Sequence, residues 1–559
     1  MPTRRHFLGS ASLAAASHLY PLCSMAAPGA PTGGPDFDIV IVGGSLGGCA
    51  AALAATRHGH RVLLAEPTDW IGGQLTQQGV PPDEHQWIES HGATASYRQF
   101  RSKIRDHYRN HYPLTDAARD NPLLNPGNGS VSRLCHEPRA ALAALDALLA
   151  PAVSSGCLQI LLGTTLTGAD TDGDRVRAAT LRTADGREIT TTARYFIDAT
   201  EHGDLLPLTG TEFVTGAESQ RDTDEPHAPA EADPHNVQAP TWCFAIDHLP
   251  GENHTIDRPA DYAFWRDFVP DLDPPWSGRL LSLHYSNPRT LEPKALAFVP
   301  PTGTDPPPTT DALNLWLYRR ILDPNNFANG SYRSGITVVN WPQNDYLLGN
   351  LITGTQEENA RHLRGARELS LSLLYWLQTE APRPDGGTGW PGLRLRGDVM
   401  GNAPHGLAKS PYIRESRRIR AEFTILEQHI TRTGDRTRAT PFPDSVGVGS
   451  YHLDLHPSSG GDNYIDTASL PFQIPLGALI PMRMENLLPA CKNIGTTHIS
   501  NGCYRLHPVE WNIGESAGAL AAHCLTTAHS PRATRNSPDL LADFQSSLRS
   551  QGVELEWPA

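Results

Sequence analysis

The sequence predicts an α/β fold, with a Rossmann-like domain built on a parallel sheet and a separate α+β domain inserted into it. Three observations support this prediction. A strand, a glycine-rich turn, a helix and a second strand follow one another over residues 38–66, which is the order of a βαβ unit. A further strand at residues 194–198 runs into a turn that begins with small residues. Between residues 241 and 440 the chain changes to proline-rich stretches and isolated helical patterns, which favours a separate unit.

The βαβ unit starts with an apolar strand at residues 38–42 and ends with a second strand at 61–65. The turn after the first strand supplies five candidate cofactor-binding residues: Gly43, Gly44, Ser45, Gly47 and Gly48. Backbone N–H groups at such a turn, together with the dipole of the following helix, bind a pyrophosphate without a lysine. Glu66 stands 18 residues after Gly48, near the expected place of a carboxylate that binds a ribose hydroxyl. The spacing predicts dinucleotide binding, and the alternative is a βαβ unit that holds no ligand.

One position departs from the G-x-G-x-x-G pattern, because Ser45 takes the place of the middle glycine. Serine is small enough for close backbone approach, but a positive φ angle is unfavourable for it. Ser45 is therefore expected to allow the approach at some cost in backbone energy.

A Gly72-Gly73-Gln74 segment follows the second strand at once, and two further segments lie far along the chain at residues 486–495 and 510–518. Together with the βαβ unit, they resemble the FAD-dependent oxidoreductases of the glutathione-reductase-like superfamily. The likeness is greatest to the bacterial group related to the flavin domain of heterodisulfide reductase. It covers about residues 36–210 and 410–525. The resemblance implies FAD as the cofactor and an FAD-binding domain formed by the N- and C-terminal parts of the chain.

The resemblance also implies which residues contact the cofactor beyond the first turn. The last segment opens a helix whose N-terminus faces the flavin pyrimidine ring, where small residues leave room and the helix dipole stabilises the reduced ring. The family pattern Ala-Thr-Gly followed by Gly-Asp is matched at residues 199–204, with Glu201 in the place of a glycine. The residues carried over from the resemblance are Gly72, Gly73, Gln74, Ala199, Thr200, Asp204, Asn493, Gly514, Ala517 and Gly518.

The N-terminus predicts where the protein works. Arg4 and Arg5 form a twin-arginine pattern before a modest apolar stretch at residues 8–22, and small residues offer a cleavage site near residues 26–27. The apolar stretch is too short, and too rich in alanine and serine, to span a membrane. We therefore predict a signal peptide at residues 1–27, export by the twin-arginine translocase, and a periplasmic or secreted protein with no membrane span.

Charge and cysteine spacing exclude other classes of protein. The net charge of −14 argues against nucleic acid as a partner, and with it against the tRNA-modifying flavoproteins of this superfamily. None of the eight cysteines lies two or three residues from another, so neither a redox C-x-x-C pair nor an iron–sulfur ligand run is present. Relatives of heterodisulfide reductase carry such clusters, but we expect none here, and no metal site is predicted.

The remaining patterns divide the chain into domains. An Asp-Gly turn at residues 185–186 predicts a hairpin. Helical spacing of apolar residues predicts helices over residues 357–380 and 412–427. The predicted organisation is a signal peptide (1–27), a first part of the FAD-binding domain (36–240), a substrate or cap domain (241–440), a second part of the FAD-binding domain (441–530) and a C-terminal tail (531–559).

Flavin catalysis needs a base for a substrate proton and a positive group near the reduced ring. Residues just before the ring-facing helix are the best candidates. We predict that Arg505 contacts flavin or substrate and that His498 and His507 accept a proton. The alternatives are a structural ion pair for the arginine and histidines satisfied by backbone groups.

A second candidate set lies on an apparent strand at residues 451–456. Alternation along the strand places His452, Asp454 and His456 on one face. Two histidines and a carboxylate could bind a metal, but a substrate-binding wall is the better-supported interpretation.

One leading function and two alternatives follow. The leading hypothesis is an exported FAD-dependent dehydrogenase or oxidase that takes two electrons from a small polar substrate, with oxygen or a periplasmic acceptor as the partner that reoxidises the flavin. Ser45 and Glu201, which replace glycines, motivate a non-catalytic binding protein that kept the fold. An electron-transfer flavoprotein related to the flavin-carrying component of heterodisulfide reductase is disfavoured by the missing cluster ligands.

Overall fold

The computed structural model describes residues 35–301, 310–432 and 434–558, so the predicted signal peptide lies outside the described residues. The strands are β1 Phe37–Val42, β2 Val62–Glu66, β3 Leu158–Leu162, β4 Thr164–Asp172, β5 Arg175–Thr183, β6 Glu188–Asp198, β7 Phe213–Val214, β8 Phe244–His248, β9 His284–Ser286, β10 Pro293–Ala295, β11 Arg320–Leu322, β12 Ile336–Val339, β13 Leu393–Leu395, β14 Arg418–Ile419, β15 Ser445–Gly449, β16 Leu453–Leu455, β17 Ile465–Thr467, β18 Phe472–Pro475 and β19 Leu487–Pro489. The helices are α1 Leu46–Arg57, α2 Ala95–His111, α3 Asp116–Asp120, α4 Pro138–Ser154, α5 Leu205–Thr209, α6 Gln220–Thr223, α7 Tyr262–Asp267, α8 Leu315–Tyr318, α9 Gln356–Thr379, α10 Glu427–Ile430, α11 His498–Tyr504, α12 His507–Thr527, α13 Pro531–Asn536 and α14 Pro538–Ser550. Within the described ranges, none of the helices has the length and apolar character needed to cross a membrane.

The central sheet joins strands from distant parts of the chain. Its parallel strands have the order β3, β2, β1 and β6, and β19 pairs in parallel with β6. Ile39, Val40 and Ile41 of β1 are fully buried, as expected for a strand covered on both faces. β5 and β6 form the predicted hairpin across the Asp-Gly turn. The predicted α/β class with a parallel sheet is confirmed.

Helices α1 and α12 pack directly against each other beside this sheet. A Cβ atom on Gly514 would lie 2.0 Å from the carbonyl oxygen of Gly47, and one on Gly518 would lie 2.3 Å from that of Ala51. Both helices are rich in small residues and are buried over most of their length. The contact therefore joins the β1–α1 unit to the C-terminal part of the chain through nearly touching backbones.

The predicted cap region contains an antiparallel sheet with the strand order β11, β12, β8 and β13. The helix predicted at residues 357–380 is confirmed as α9, which starts with a capping box between Thr355 and Glu358.

The helix predicted at residues 412–427 is wrong. This segment runs as an extended chain in which β14 pairs with β7, and only its last residue begins the short helix α10. Arg414 and Arg418 are fully buried and donate to the carbonyl oxygens of Ala239 and Gly216. These bonds to distant segments outweigh the local helical preference of the sequence.

Candidate active site

The glycine-rich turn connects β1 to the N-terminus of α1. Gly43 carries a positive φ of +98°, whereas Ser45 is extended, with φ −60° and ψ 176°. Ser45 is the N-cap of α1, and its Oγ accepts a hydrogen bond of 3.1 Å from Gly48 N. The expected backbone cost of serine does not arise, because the left-handed position of the turn falls on Gly43.

The other glycines of the turn are needed for close approach of protein groups. A Cβ atom on Gly47 would lie 1.7 Å from the carbonyl oxygen of Ala490, and one on Gly48 would lie 2.3 Å from that of Gly43. A Cβ atom on Gly44 would lie 3.0 Å from the Cβ of Glu66. These positions therefore fix the turn against β2 and the C-terminal part of the chain.

Glu66 ends β2, and two backbone amides hold its carboxylate. Its Oε2 accepts from Gly44 N at 2.9 Å, and its Oε1 accepts from Thr68 N at 2.8 Å. Burial raises the pKa of Glu66, and these hydrogen bonds oppose the rise. The predicted ribose-binding carboxylate is thus held in one orientation beside the glycine-rich turn.

A cavity of about 390 Å³ opens beside the turn. Several predicted cofactor-binding residues line it: Gly43, Ser45, Glu66, Gly73, Ala199, Thr200 and Asp204. Leu351 and Leu363 of the predicted cap region line it from another side. The fold therefore brings residues from four distant segments to one space.

The turn after β6 is organised by Asp198. Its Oδ1 accepts from the N and Oγ1 of Thr200, and its Oδ2 accepts from Leu205 N. Burial raises the pKa of Asp198 to about 7, against the effect of these bonds. Asp204, a predicted cofactor ligand, directs its carboxylate to Arg417, 3.2 Å away. Thr200 is thus held in place by Asp198, whereas Asp204 reaches the cavity from its rim.

Glu201, in the place of a glycine, belongs to a buried ion group. Lys492 Nζ donates to Glu201 Oε2 and lies 3.6 Å from Glu510 Oε2. Glu510 Oε1 accepts from Gly47 N at 3.1 Å, at the N-terminus of α1. Burial would lower the pKa of Lys492, but its neighbours Cys491, Glu201 and Glu510 raise it well above its ordinary value. The charged ammonium therefore balances two buried carboxylates.

Neither Lys492 nor Glu510 is among the predicted site residues. The signal that could have indicated the lysine is Glu201 itself, because a carboxylate in the place of a buried glycine requires a counter-ion. The partner lies in a segment that no local spacing connects to residue 201.

The same group has the spacing of a metal site. One ligand atom each of Glu201, Cys491 and Glu510 lies within 4.8 Å of the others. Lys492 already supplies a positive charge there, with its Nζ 3.4 Å from Cys491 Sγ. Burial raises the pKa of the Cys491 thiol well above its ordinary value, which makes it a poor metal ligand. The geometry favours the ammonium over a metal ion.

The Gly72-Gly73-Gln74 segment packs on the glycine-rich turn. Gly72 and Gly73 have positive φ angles of +110° and +51°, and Gly72 N donates to Gly44 O at 2.7 Å. Gln74 Nε2 donates to Arg505 O at 3.0 Å. Its Oε1 is buried and has no hydrogen-bond partner among the described residues. Gln74 therefore leaves one acceptor for a ligand.

Asn493 holds the turn after β19 to β6. Its Oδ1 accepts from Cys491 N at 3.1 Å, and its Nδ2 donates to Asp198 O at 3.0 Å. The side chain thus positions the turn that carries Lys492.

Gly514 and Gly518 lie against α1, and Ala517 is buried beside them in the same helix. The expectation that the small size of Gly514 and Gly518 leaves room for the flavin ring is wrong, because the backbone of α1 fills that space. For Ala517 it stays a prediction. The N-terminus of α12, which the resemblance places at the flavin ring, begins at His507.

His498 begins α11 and is buried against Glu415, with 2.9 Å between Nδ1 and Oε2. Burial alone would lower the pKa of His498, but Glu415 raises it above its ordinary value. Despite burial, His498 and Arg418 lower the pKa of Glu415 to about 2. The pair with Glu415 favours the protonated ring, and a protonated histidine is a poor acceptor of a substrate proton. The ion pair with Glu415 therefore disfavours the catalytic role of His498, which stays a prediction.

His507 begins α12 and is neutral, because burial lowers its pKa to about 3. Its Nδ1 accepts a hydrogen bond of 3.0 Å from Asp83 N, which in a neutral ring places the proton on Nε2. This Nε2 is buried and has no partner in the described part of the chain. His507 therefore offers a hydrogen-bond donor, not the proton acceptor that the sequence predicts.

Arg505 is fully buried between α11 and α12. It donates to Tyr412 Oη at 2.8 Å and to Asp454 Oδ2 at 3.0 Å. Its Nε is buried and unpartnered among the described residues. Arg505 thus forms a structural ion pair with Asp454, which was the alternative to a contact with flavin or substrate. Its Nε–H group is still free to donate to a ligand.

Asp83 and Arg319, which are not among the predicted residues, complete this region. Arg319 Nη1 lies 3.5 Å from Asp83 Oδ1. We use the name arginine–tyrosine cluster for the buried and half-buried side chains that interact here: Asp83, Tyr318, Arg319, Tyr412, Tyr451, Asp454, Arg505 and His507. They come from separate segments, so no motif spacing could have identified them together.

The three residues predicted to share a face at residues 451–456 do lie on one side of β16, and Asp454 interacts electrostatically with both His456 and His452. Asp454 joins the arginine–tyrosine cluster through Arg505, and His456 Nε2 lies 3.8 Å from Asp454 Oδ2. His452 also pairs with Asp466 at 2.8 Å. Asp454 is the member of the set that reaches the candidate site.

Comparisons with known proteins show the family of this chain, and several of the matched descriptions name FAD. A family model described as FAD dependent oxidoreductase matches residues 38–548. The N,N-dimethylglycine/sarcosine dehydrogenase of Chromohalobacter salexigens is 46% identical over 57 residues, or 10% of this chain and 8% of that protein. The FAD-dependent monooxygenase ntnJ of Nectria sp is 36% identical over 56 residues, or 10% of this chain and 13% of that protein. The chain thus matches only a small part of the length of these curated relatives.

Solved structures of flavoproteins are also similar to this chain. The anhydrotetracycline hydroxylase OxyS from Streptomyces rimosus has 12% identity and a TM-score of 0.32, over 92% of this chain and 66% of that chain. The myxobacterial chondrochloren halogenase CndH has 16% identity and a TM-score of 0.21, over 38% of this chain and 43% of that chain.

Proposed function

We propose a function from one premise: the chain belongs to the family of FAD-dependent oxidoreductases. In this proposal it is a dehydrogenase or oxidase that takes two electrons from a small polar substrate, and it acts in the periplasm or outside the cell after twin-arginine export. The observation that carries the proposal is the arginine–tyrosine cluster. It is a buried set of polar groups beside the first turn of α12, and some of its donors and acceptors have no partner among the described residues.

The residues of the site fit FAD. The backbone N–H groups of Ser45 and Leu46 make no hydrogen bond within the described residues, so they can bind a diphosphate at the N-terminus of α1. Glu66 presents its carboxylate to a ribose. Gln74 Oε1 and His507 Nε2 offer an acceptor and a donor near the start of α12. When bound, FAD accepts a hydride from the substrate.

Asp83 is the proposed proton acceptor. Oxidation of an alcohol or amine requires a base for the proton on oxygen or nitrogen. Asp83 Oδ1 is buried and has no hydrogen-bond partner among the described residues. The substrate loses a hydride from carbon and a proton from the heteroatom, and the proton goes to Asp83. His507 Nε2 orients the substrate by donating a hydrogen bond.

Ser45 and Glu201, which stand in the place of glycines, no longer support the hypothesis of a non-catalytic protein. Ser45 is extended and does not need the freedom of a glycine. Glu201 is paired with Lys492 and does not leave an uncompensated charge. Neither replacement therefore speaks against cofactor binding at these positions.

Anaerobic mixing of the FAD-loaded protein with a panel of alcohols, amines, amino acids and hydroxy acids tests the proposal. At least one compound is expected to bleach the flavin absorbance. Asp83→Asn keeps the size of the side chain but removes the base, so we expect flavin reduction to slow by about 10²- to 10⁴-fold with FAD retained.

Asp323→Asn is the matched control, because Asp323 is also buried but is hydrogen-bonded to Arg320. This variant should reduce its flavin at the wild-type rate. If no compound in the panel bleaches the flavin, the proposed substrate class is wrong. If Asp83→Asn reduces its flavin as fast as the wild type, Asp83 is not the base.

A further inference from the structure

Arg319 is a buried arginine whose guanidinium makes no hydrogen bond within the described residues. The residue is only 8% exposed, and its Nε and Nη1 are buried without partners. Its Nη1 lies 3.5 Å from Asp83 Oδ1 in an ion pair, and its Cζ lies 5.1 Å from the centre of the Tyr318 ring. Buried N–H donors with no acceptor are unfavourable unless a ligand completes the site.

Other buried arginines of this chain donate hydrogen bonds to the protein, although Nε of Arg414 and Nε of Arg505 are also unpartnered among the described residues. Arg320, the next residue, donates to Gly127 O at 2.7 Å and to Asp323 Oδ2 at 2.7 Å. Arg101 donates to Glu84 at 2.8 Å and to Glu89 at 2.6 Å. Arg319 differs from these arginines because its guanidinium makes no hydrogen bond to any described residue, whereas Arg414 and Arg505 each donate several.

The chemistry around Arg319 selects a type of ligand. A guanidinium presents a planar fork of N–H donors that matches a carboxylate. Asp83, beside it, has an unpartnered oxygen among the described residues, which accepts a proton or a hydrogen bond and repels a second anionic group. A ligand that satisfies both residues carries one carboxylate and, next to it, a group with an N–H or O–H bond.

We propose, building on the proposed function, that Arg319 binds the substrate carboxylate and that the substrates are small 2-amino or 2-hydroxy acids. The carboxylate accepts hydrogen bonds from Nε and the adjacent Nη2 of Arg319, which form the side-on fork, while Nη1 lies beside Asp83. The amine or hydroxyl on the neighbouring carbon reaches Asp83, whose Oδ1 is 3.5 Å from Nη1. That carbon loses a hydride to FAD, the heteroatom loses its proton to Asp83, and the product is a 2-imino or 2-oxo acid.

The first test measures binding without turnover. The FAD-loaded protein is titrated with acetate and with acetamide, while the flavin absorbance spectrum and the melting temperature are recorded. Acetate should perturb both, and acetamide should not. Arg319→Gln should weaken acetate binding by about 10- to 100-fold. Arg319→Lys keeps the charge but not the fork of donors, so its affinity for acetate should lie between those of Arg319→Gln and the wild type.

Arg320→Lys is the matched control. The donors of Arg320 serve the protein, so this variant is expected to melt at a lower temperature but to bind acetate as the wild type does. FAD content is measured for every variant. If Arg319→Gln does not fold with FAD, the Arg319→Lys protein and the acetate–acetamide comparison on the wild type still decide the question.

The second test compares acids with their amides as reductants, namely lactate with lactamide and sarcosine with sarcosine amide. The acids should bleach the flavin, and Arg319→Lys should raise KM more than it lowers kcat. Equal bleaching by the amides, or equal acetate affinity in Arg319→Gln and wild type, would overturn the carboxylate assignment and leave the oxidoreductase proposal intact. Acetate binding at Arg319 without bleaching by any compound would instead overturn the proposed function.

Discussion

Lys492 is the residue on which the charge balance near the glycine-rich turn depends. It lies between Glu201 and Glu510, and its side chain is completely buried. Burial raises the pKa of Glu201, and Lys492 opposes that rise. The glycine that the sequence lacks at position 201 is therefore replaced by a pair of opposite charges.

Replacing Lys492 with methionine should destabilise the protein strongly. The change leaves two buried carboxylates without their counter-ion, and breaking a buried pair from one side costs about 3–5 kcal/mol. Urea denaturation of the FAD-free protein, followed by tryptophan fluorescence, measures the loss.

The double variant Glu201→Gln/Lys492→Met serves as the control. It removes one carboxylate together with the lysine, so it should recover a large part of the lost stability. Equal stability of Lys492→Met and wild type would show that the ion group contributes nothing.

Residue identity alone does not reveal the role of a titratable side chain. His498 and His507 both stand near the start of α12 in the sequence, yet Glu415 raises the pKa of His498 and burial lowers that of His507 to about 3. The difference comes from partners that lie far along the chain. The candidates were therefore predictable from the sequence, and their protonation states were not.

Among the elements, the crossing of α1 and α12 positions the site. It places the N-terminus of α1 beside the first turn of α12, where Gly47 donates to Glu510. The sequence pattern of small residues in both helices was visible, but a cofactor ring was expected in the space that the partner helix occupies. Small residues in a helix allow close packing, but they do not indicate whether a cofactor ring or another helix packs there.

Gly514→Ala should separate the two helices. The new Cβ would lie 2.0 Å from the carbonyl oxygen of Gly47. This oxygen belongs to the backbone of α1, which cannot move aside as the end of a flexible side chain can. Overpacking of this kind costs about 1–3 kcal/mol, and we expect weaker FAD retention because the phosphate-binding turn moves with α1. Thermal unfolding and FAD release on gel filtration measure both effects.

Gly365→Ala in α9 is the comparison variant. There the new Cβ would meet the Tyr346 ring at 2.6 Å, and the ring can shift, while alanine improves helix propensity by about 1 kcal/mol. This variant should stay close to wild-type stability. A Gly514→Ala protein that matches it in stability and FAD content would contradict the proposed role of the crossing.

At the scale of the whole molecule, the cofactor site needs both ends of the described chain. β1, β2 and β6 supply one side, and β19 and α12 supply the other. Such a site is complete only after the chain has folded. The twin-arginine route, which carries folded proteins across the membrane, stays a prediction.

Replacing both signal arginines, Arg4→Lys/Arg5→Lys, should keep the FAD-loaded protein in the cytoplasm. Cell fractionation with detection of the protein and its flavin measures the distribution. Arg182→Lys/Arg187→Lys, in the exposed β5–β6 hairpin, is the matched control and should be exported normally. Normal export of the signal variant would exclude the twin-arginine route.

The order of residues within short segments of the sequence determined the local elements of this protein. The βαβ unit with its turn at Gly43, the β5–β6 hairpin and the helix α9 follow from residues that are neighbours in the sequence. The FAD-dependent class follows from the resemblance of several such segments to one family. The tertiary structure alone decided that Ser45 avoids a positive φ, that Lys492 compensates Glu201, and that Asp83 and Arg319 meet beside His507. The physical reason is that hydrogen bonds, burial and pKa values depend on distances in space, and here the partners come from segments that only the folded chain brings together.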